Sequence, residues 1–130
     1  MTATNPKPCA FCTLPPARVI DENATAIAIC DGYPVSPGHT LLIPKRHTAS
    51  FFELSPQERS DLLALLDRAK LALDLEFQPQ GYNIGINDGP AAGQTVAHVH
   101  VHLIPRYDGG GPDPRGGVRW VIADNAKYWP

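Results

Sequence analysis

The 130-residue sequence has only 3 cysteines, 1 methionine and 2 tryptophans, and it has no excess of charge of one sign. Its 11 basic and 13 acidic side chains give a formal net charge of -2, which argues against binding by coating a nucleic-acid backbone or an anionic membrane. No segment approaches the roughly 18 apolar residues of a membrane span. Residues 1–8 lack the apolar stretch of a signal peptide. We therefore expect a cytoplasmic protein with a single domain over residues 1–130.

Three cysteines cannot all pair within one chain. In a reducing compartment, a Cys-x-x-Cys such as Cys9 and Cys12 is more often a metal or redox site than a structural disulfide. The third cysteine, Cys30, lies in an apolar run and is predicted to be a small buried residue.

Short apolar runs bounded by turn residues predict an antiparallel sheet of about five strands. These runs lie at 18–22, 25–30, 40–44, 81–87 and 97–105. Between the third and fourth runs, Ser55, Pro56 and Glu58 supply an N-cap, a first helical residue and a capping box. Apolar residues at helical spacing continue to Phe77 and predict one long helix. The fold class is therefore α+β.

The end of the chain is predicted to be less regular. Residues 107–117 contain five glycines and two prolines, a composition typical of a flexible loop. In the tail, 118–130, the residues 118–122 are apolar enough to form one more short strand.

Three of the five histidines, His98, His100 and His102, lie within five residues. In a strand, alternate side chains share a face, so these imidazoles are predicted to project together about 6.5 to 7 Å apart. A solvated face would more commonly carry Lys, Glu or Thr. Two interpretations remain, a three-histidine metal site or a nucleophilic histidine between two helpers. The glutamate that a strand-borne His-x-His metal site would add is absent from residues 104–107.

The segment before the histidines favours a site that binds phosphate. Gly93 leaves its backbone N–H unhindered, Gln94 offers a side-chain amide, and Thr95 offers a hydroxyl.

Residues 93–104, Gly-Gln-Thr-Val-Ala-His-Val-His-Val-His-Leu-Ile, resemble the signature of the histidine triad (HIT) nucleotide hydrolases and transferases. The similarity extends through Asn-Asp-Gly-Pro at 87–90 and through residues 34–44, and it covers the chain from about residue 9 to residue 105. The resemblance implies a HIT-like fold and a homodimer.

The resemblance also implies a mechanism. His100 would attack the α-phosphate of a nucleotide and form a nucleotidyl-histidine, which water then hydrolyses. His102, Thr95 and a fourth histidine, His39, would support this chemistry by contacting the phosphate or orienting the groups that do.

Further residues match the family's substrate site. Asp31 would accept hydrogen bonds from the ribose hydroxyls. The phosphate path would be lined by Asn87, Gly93, Gln94, Thr95 and His102. Ile20, Ile29 and Ile43 are weaker candidates for a base pocket, and a place in the core is the favoured interpretation of each.

The sequence also resembles the zinc-containing branch of the family. The zinc ligands of that branch are two N-terminal cysteines, the histidine that ends a Pro-Lys-x-His segment, and the first triad histidine. The matching residues are Cys9, Cys12, His47 and His98. Four protein ligands leave no open position, so the implied Zn²⁺ is structural and residues 9–12 form a zinc-binding segment. The alternative is a reduced, metal-free cysteine pair.

The resemblance implies a nucleotide hydrolase that acts on an adenosine-type phosphoanhydride, in particular a dinucleoside polyphosphate. Three alternatives share the same site: a nucleoside phosphoramidase, a nucleotidyltransferase or phosphorylase, and a nucleotide-binding module of low turnover. The expected partners are the nucleotide or dinucleotide substrate and a second copy of the chain, with no nucleic acid and no membrane.

Overall fold

The structure is a computed structural model that describes residues 9–130. Within these residues one antiparallel sheet contains five strands in the spatial order β1-β2-β3-β5-β4. The strands are β1 (Val19–Glu22), β2 (Ala26–Cys30), β3 (Thr40–Pro44), β4 (Gly81–Gly85) and β5 (Val101–Arg106). One long helix, α1 (Pro56–Phe77), joins β3 to β4. The predicted α+β class and five-stranded antiparallel sheet are confirmed.

The start of α1 follows from the predicted capping box. The hydroxyl oxygen of Ser55 accepts the backbone N–H of Glu58 at 3.1 Å, and the carboxylate of Glu58 accepts the backbone N–H of Ser55 at 2.9 Å. Two helical N–H groups that lack intrahelical partners are satisfied in this way. At the other end, Gln78 adopts a left-handed conformation with φ 51° and terminates the helix.

The central strands are buried on both faces. On one face, Ala28 and Leu42 pack against the helix residues Leu62 and Leu65, all in one apolar cluster. On the other face, Ile29, Leu41 and Ile43 form a second cluster with side chains of the N-terminal segment. His102 in β5 is the register partner of Leu41 in β3, and paired residues of antiparallel strands project from the same face. The candidate site therefore lies on this second face.

Two predicted strands differ from the structure. β5 begins at Val101 and not at residue 97, because the backbone bends at residues 96–98 and the N–H of Val99 donates to the carbonyl of Thr48 outside the ladder. Residues 118–122 are not a strand, since Gly117–Asn125 form 3-10 turns with a kink at Ile122, whose φ of -123° and ψ of 86° are not helical. In the first of these turns the N–H of Arg119 donates to the carbonyl of Gly116, an i to i+3 hydrogen bond.

The prediction that Cys30 is buried is wrong. Cys30 is the last residue of β2 and is exposed. Cys30 lines a groove between the end of β2 and the C-terminal half of α1.

Among residues 9–130, no helix combines the length and the apolar composition that crossing a bilayer requires.

Candidate active site and metal centre

A cleft of about 490 Å³ lies on the face of the sheet opposite α1. It brings together all eight residues that the sequence predicts for catalysis or for binding the ribose and the phosphates. These are Asp31, His39, Asn87, Gly93, Gln94, Thr95, His100 and His102. Two larger cavities, of about 780 and 890 Å³, do not include His100. Chemistry rather than size therefore identifies the candidate active site.

The contacts of His100 determine which of its nitrogens is free. Its Nδ1 lies 2.9 Å from the carbonyl oxygen of His98, and a carbonyl only accepts hydrogen bonds, so Nδ1 carries the proton. The lone pair of the neutral ring is then on Nε2. The side chain is 9% exposed, and its ring packs edge-on against Phe11 with centroids 5.1 Å apart. His100 thus has the tautomer that a nucleophile needs.

His39 fixes the tautomer of His102 through a short chain of hydrogen bonds. The backbone N–H of Val35 donates to Nδ1 of His39 at 3.1 Å, so the proton of His39 is on Nε2. That Nε2 lies 3.0 Å from Nδ1 of His102, which accepts, and 3.3 Å from a carboxylate oxygen of Asp31. The remaining proton of His102 is therefore on Nε2, where it is able to donate to a phosphate oxygen.

Burial keeps these two imidazoles neutral. Desolvation lowers the pKa of His39, although the nearby Asp31 carboxylate partly opposes this. Desolvation also lowers the pKa of His102, and the neighbouring His100 and His39 rings lower it further. His39 and His102 therefore each carry a single proton, on Nε2, near neutral pH.

Gln94 braces the loops that border the cleft. Its side-chain oxygen accepts the N–H of Gly89 at 2.7 Å, and its amide nitrogen donates to the carbonyls of Ala49 at 2.8 Å and Val96 at 3.0 Å. The Gln94 amide, which the sequence predicts would bind phosphate, therefore bonds to backbone groups. It holds together the segments around residues 49, 89 and 96. In contrast, Thr95 and Asn87 border the cleft with side chains that form no hydrogen bond within residues 9–130.

The apolar wall of the cleft was not identified from the sequence. It is formed by Phe11, Leu14 and Leu41. None of the suggested base-pocket residues is there, since Ile29 and Ile43 are fully buried in the sheet's core and Ile20 is 55% exposed beside another groove. The sequence signal for Phe11 is its position between Cys9 and Cys12, because a metal shared by these cysteines and His98 would hold the intervening residue near His100.

The four predicted metal ligands are close together. The ligand atoms of Cys9, Cys12, His47 and His98 all lie within 4.8 Å of one another. The Sγ atoms of Cys9 and Cys12 lie 3.4 and 3.5 Å from Nδ1 of His98, and the Sγ of Cys12 lies 3.2 Å from Nδ1 of His47. Two thiolates and two imidazoles are a donor set typical of structural zinc.

A hydrogen bond on the far side of the cluster supports this fit. Nε2 of His98 donates to the carbonyl of Pro44 at 2.7 Å, so the lone pair of Nδ1 faces the cysteines. The side chain is fully buried, and desolvation lowers the pKa of His98, which favours the neutral, ligating form. The residues present therefore fit Zn²⁺.

The chain is similar in sequence to a family of known proteins. The HIT domain family model matches residues 14–109. The chain is 38% identical over 102 residues to an adenosine 5'-monophosphoramidase of Schizosaccharomyces pombe, a match that covers 75% of the chain and 74% of that protein. It is 39% identical over 90 residues to the asymmetrical bis(5'-nucleosyl)-tetraphosphatase of the same organism, covering 69% of the chain and 50% of that protein.

One of the similar solved structures contains bound zinc. The chain is similar to a zinc-bound histidine triad family protein from Mycobacterium smegmatis, with a TM-score of 0.72 and 35% sequence identity. The match covers 89% of the chain and 91% of that structure.

Proposed function

Because the chain belongs to the HIT domain family, we propose that it hydrolyses a dinucleoside polyphosphate at the α-phosphate through a nucleotidyl group carried on His100. The tautomer of His100 is the observation that supports this most strongly. The carbonyl of His98 holds the proton on Nδ1, so Nε2 presents a lone pair to the cleft. A neutral imidazole in this state is a competent nucleophile.

In the first step, Nε2 of His100 forms a bond to the α-phosphorus, and the bond from phosphorus to the bridging oxygen breaks. The leaving nucleoside phosphate departs with the electron pair. The ring then carries a positive charge, which the carbonyl of His98 stabilises through the hydrogen bond to Nδ1 at 2.9 Å. Nε2–H of His102 donates to a non-bridging oxygen, where negative charge develops.

In the second step, the oxygen of a water molecule bonds to phosphorus and the bond to Nε2 breaks. The electron pair returns to the imidazole, and the proton lost by the water passes to solvent. His100 regains its neutral form with the proton still on Nδ1. Each displacement uses the same cleft, so one difficult reaction becomes two easier ones.

The rest of the cleft has the polarity that a nucleotide requires. We assign Phe11, Leu14 and Leu41 to the base, since they form the apolar wall. Asp31 is assigned to the ribose hydroxyls, and Thr95 and Asn87 to phosphate oxygens. Gln94 shapes this part of the cleft through the backbone.

A phosphoramidate is the second candidate substrate, because the phosphoramidase relative is matched over 74% of its length and the tetraphosphatase over 50%. The experiment compares diadenosine tetraphosphate, an adenosine phosphoramidate and a sugar nucleotide, with native protein and His100→Ala. We expect release of AMP from diadenosine tetraphosphate to be fastest and to be lost in His100→Ala. Faster turnover of the phosphoramidate would change the substrate assignment. Equal, slow release by both proteins would refute the enzyme and favour a binding module.

Zn²⁺ held by Cys9, Cys12, His47 and His98 is proposed as a structural ion. When bound, it would cross-link the N-terminal segment to the residue two positions before His100. Both thiols must be reduced for this, and the cytoplasmic location that we also propose would keep them reduced. Elemental analysis is expected to find about one zinc per chain in the native protein and in Cys30→Ala. Cys12→Ala should lose the zinc and unfold at lower temperature, and equal zinc content in both variants would refute the site.

The homodimer is proposed to form along β4. This strand is at the edge of the sheet, so one side of its backbone has no partner strand within the described chain. Ile84 in β4 and Ile86 just after it are 51% and 36% exposed. A second copy of β4, related by a two-fold axis, would pair both edges and cover these side chains. Sedimentation velocity should show a dimer for the native protein and a shift to monomer for Ile84→Lys; a monomeric native protein would contradict this.

A further inference from the structure

A second cavity lies beside the candidate active site, at the far end of β5. Its volume is about 780 Å³, which is within the usual range for sites that bind small molecules. Four residues of β4 and β5 form its floor, namely Gly81, Asn83, Ile104 and Arg106. Residues 35–37 and 107–112 form its walls. The proposed reaction at His100 does not yet use this cavity.

The cavity is on the same face of the sheet as the cleft. Alternate side chains of a strand share a face, so Ile104 and Arg106 project on the same side as His102. Asn83 is the register partner of Ile104 and projects on that side too. Val35 borders both the cleft and the cavity. Arg106 follows His102 by four residues, about 13 Å along the strand, so cleft and cavity are neighbouring parts of one surface.

The order of the strands sets the direction from the cleft to the cavity. The groups assigned to the first nucleoside lie towards β2 and β3, since Asp31 directly follows β2 and Leu41 is in β3. β5, which carries His102, is the next strand in the sheet, and β4, which carries Asn83, follows it. A substrate with its first nucleoside over β2 and β3 and its α-phosphate at His102 therefore extends its remaining phosphates towards β4 and Arg106.

Arg106 presents a positive charge at this point. Its Nη1 donates to Oδ1 of Asn83, which holds the guanidinium in place. Within residues 9–130 the guanidinium forms no ion pair. A guanidinium that is held by a neutral amide keeps its charge and further N–H donors for a ligand, and its planar geometry matches phosphate oxygens. Arg106 is therefore suited to a phosphate chain.

The rest of the cavity is suited to a nucleoside. Ile104 and the half-buried ring of Tyr107 provide apolar surface for a base. The hydroxyl of Tyr107 donates to the carbonyl of Pro37 at 2.7 Å, which fixes the ring in the wall. Asp108 also borders the cavity, and its exposed carboxylate is able to accept hydrogen bonds from ribose hydroxyls. Phosphate, base and ribose each have a matching group.

We propose that this cavity binds the second nucleotide of a dinucleoside polyphosphate, with Arg106 on the phosphate chain and Tyr107 against the second base. The proposal rests on the proposed function, because it takes the α-phosphate of the first nucleotide to lie at His100. The leaving group then determines specificity together with the adenylyl group. A phosphoramidate gains nothing from the cavity, since its leaving group is too small to reach Arg106.

Three substrates with the same adenylyl group separate these contributions. Diadenosine tetraphosphate has the phosphate chain and the second nucleoside, adenosine 5'-tetraphosphate has the chain alone, and an adenosine phosphoramidate has neither. In Arg106→Gln, kcat/KM should fall about tenfold for the first two and change by less than about twofold for the phosphoramidate, because one charge-assisted hydrogen bond is lost. Tyr107→Ala should lower kcat/KM about tenfold for diadenosine tetraphosphate alone, because stacking on the second base is lost.

Arg68→Gln is the matched control. It removes the same charge from an exposed position on α1, which packs on the other face of the sheet, and should leave all three values unchanged. An equal fall for all three substrates in Arg106→Gln overturns the proposal, because damage to β5 then explains the loss. An unchanged value for diadenosine tetraphosphate also overturns it. Equal losses for the two tetraphosphates in Tyr107→Ala overturn the assignment of the second base.

Calorimetry with His100→Ala tests the cavity without turnover. This variant should bind diadenosine tetraphosphate more tightly than AMP, which fills the cleft alone. Adding Arg106→Gln should weaken binding of diadenosine tetraphosphate about tenfold and leave that of AMP unchanged. Equal affinity of His100→Ala for the two ligands overturns the cavity assignment. Failure of the proposed function appears instead as equal turnover by native protein and His100→Ala, so the two failures are distinguishable.

Discussion

Glu58→Gln tests the link between the helix cap and the segment that carries the metal ligand His47. The side chain of Arg46 donates to both carboxylate oxygens of Glu58, from Nε at 3.0 Å and from Nη2 at 2.9 Å. The same carboxylate accepts the N–H of Ser55. These hydrogen bonds, with that of Arg46 first, lower the pKa of Glu58 from 4.5 to about 2.

The magnitude follows from this pKa. One pKa unit is worth about 1.4 kcal/mol, so the full decrease corresponds to about 3 kcal/mol. Because the Arg46 side chain is 53% exposed, solvent screening reduces the expected loss in Glu58→Gln to roughly 1–2 kcal/mol. The folded pKa is below the unfolded one, so this stabilisation is present above pH 4.5 and is lost as the pH falls through about 2.

Urea unfolding at pH 7, 5 and 3.5 measures the effect. The control is Asp67→Asn, which removes the same charge from an exposed position with no hydrogen bond to other residues of the described chain. Glu58→Gln should be less stable than Asp67→Asn at pH 7, and its deficit relative to the native protein should shrink on acidification. Equal stability of the two variants at pH 7, or a deficit that does not change with pH, would refute the reasoning.

Three further substitutions test other parts of the molecule. Gln94→Ala removes three hydrogen bonds of about 1 kcal/mol each, so we expect a loss of roughly 1–3 kcal/mol in urea unfolding and a fall in kcat/KM; unchanged kinetics would show that the cleft does not need this brace. Ser55→Ala removes the N-cap and should cost about 1 kcal/mol, measured as a lower urea midpoint, whereas an unchanged midpoint would contradict the capping geometry. Leu65→Ala opens a cavity in the core and should cost about 2–5 kcal/mol in the same assay; a cost close to zero would be inconsistent with its complete burial.

The sequence predicted those helices and strands whose stabilising contacts lie between residues close together in the chain. The capping residues of α1 bond to each other across three positions, and the apolar runs of β2 and β3 pair across a short connection. The bend before β5 was not predicted, because it depends on contacts of His98 and Val99 with Pro44 and Thr48, more than 50 residues away.

In the candidate site too, features that depend on nearby residues were predicted and features that depend on distant contacts were not. The histidine spacing predicted a site in the segment 98–102, and all eight residues predicted for catalysis or for ribose and phosphate binding line one cleft. The committed side chain of Gln94 and the apolar wall around Phe11 depend on tertiary contacts that the sequence does not display. The tautomers of His100 and His102 also required the structure, since each depends on a hydrogen bond to the other ring nitrogen.

The central claim is that His100 carries the nucleotidyl group. The most direct measurement is rapid mixing with diadenosine tetraphosphate, an alkaline quench that preserves the phosphorus–nitrogen bond, and mass spectrometry of the peptide containing His100. We predict a transient adduct of one AMP group on this histidine, which disappears as AMP is released and is absent in His100→Ala. Hydrolysis by His100→Ala at the native rate, or an adduct on another residue, would contradict the claim.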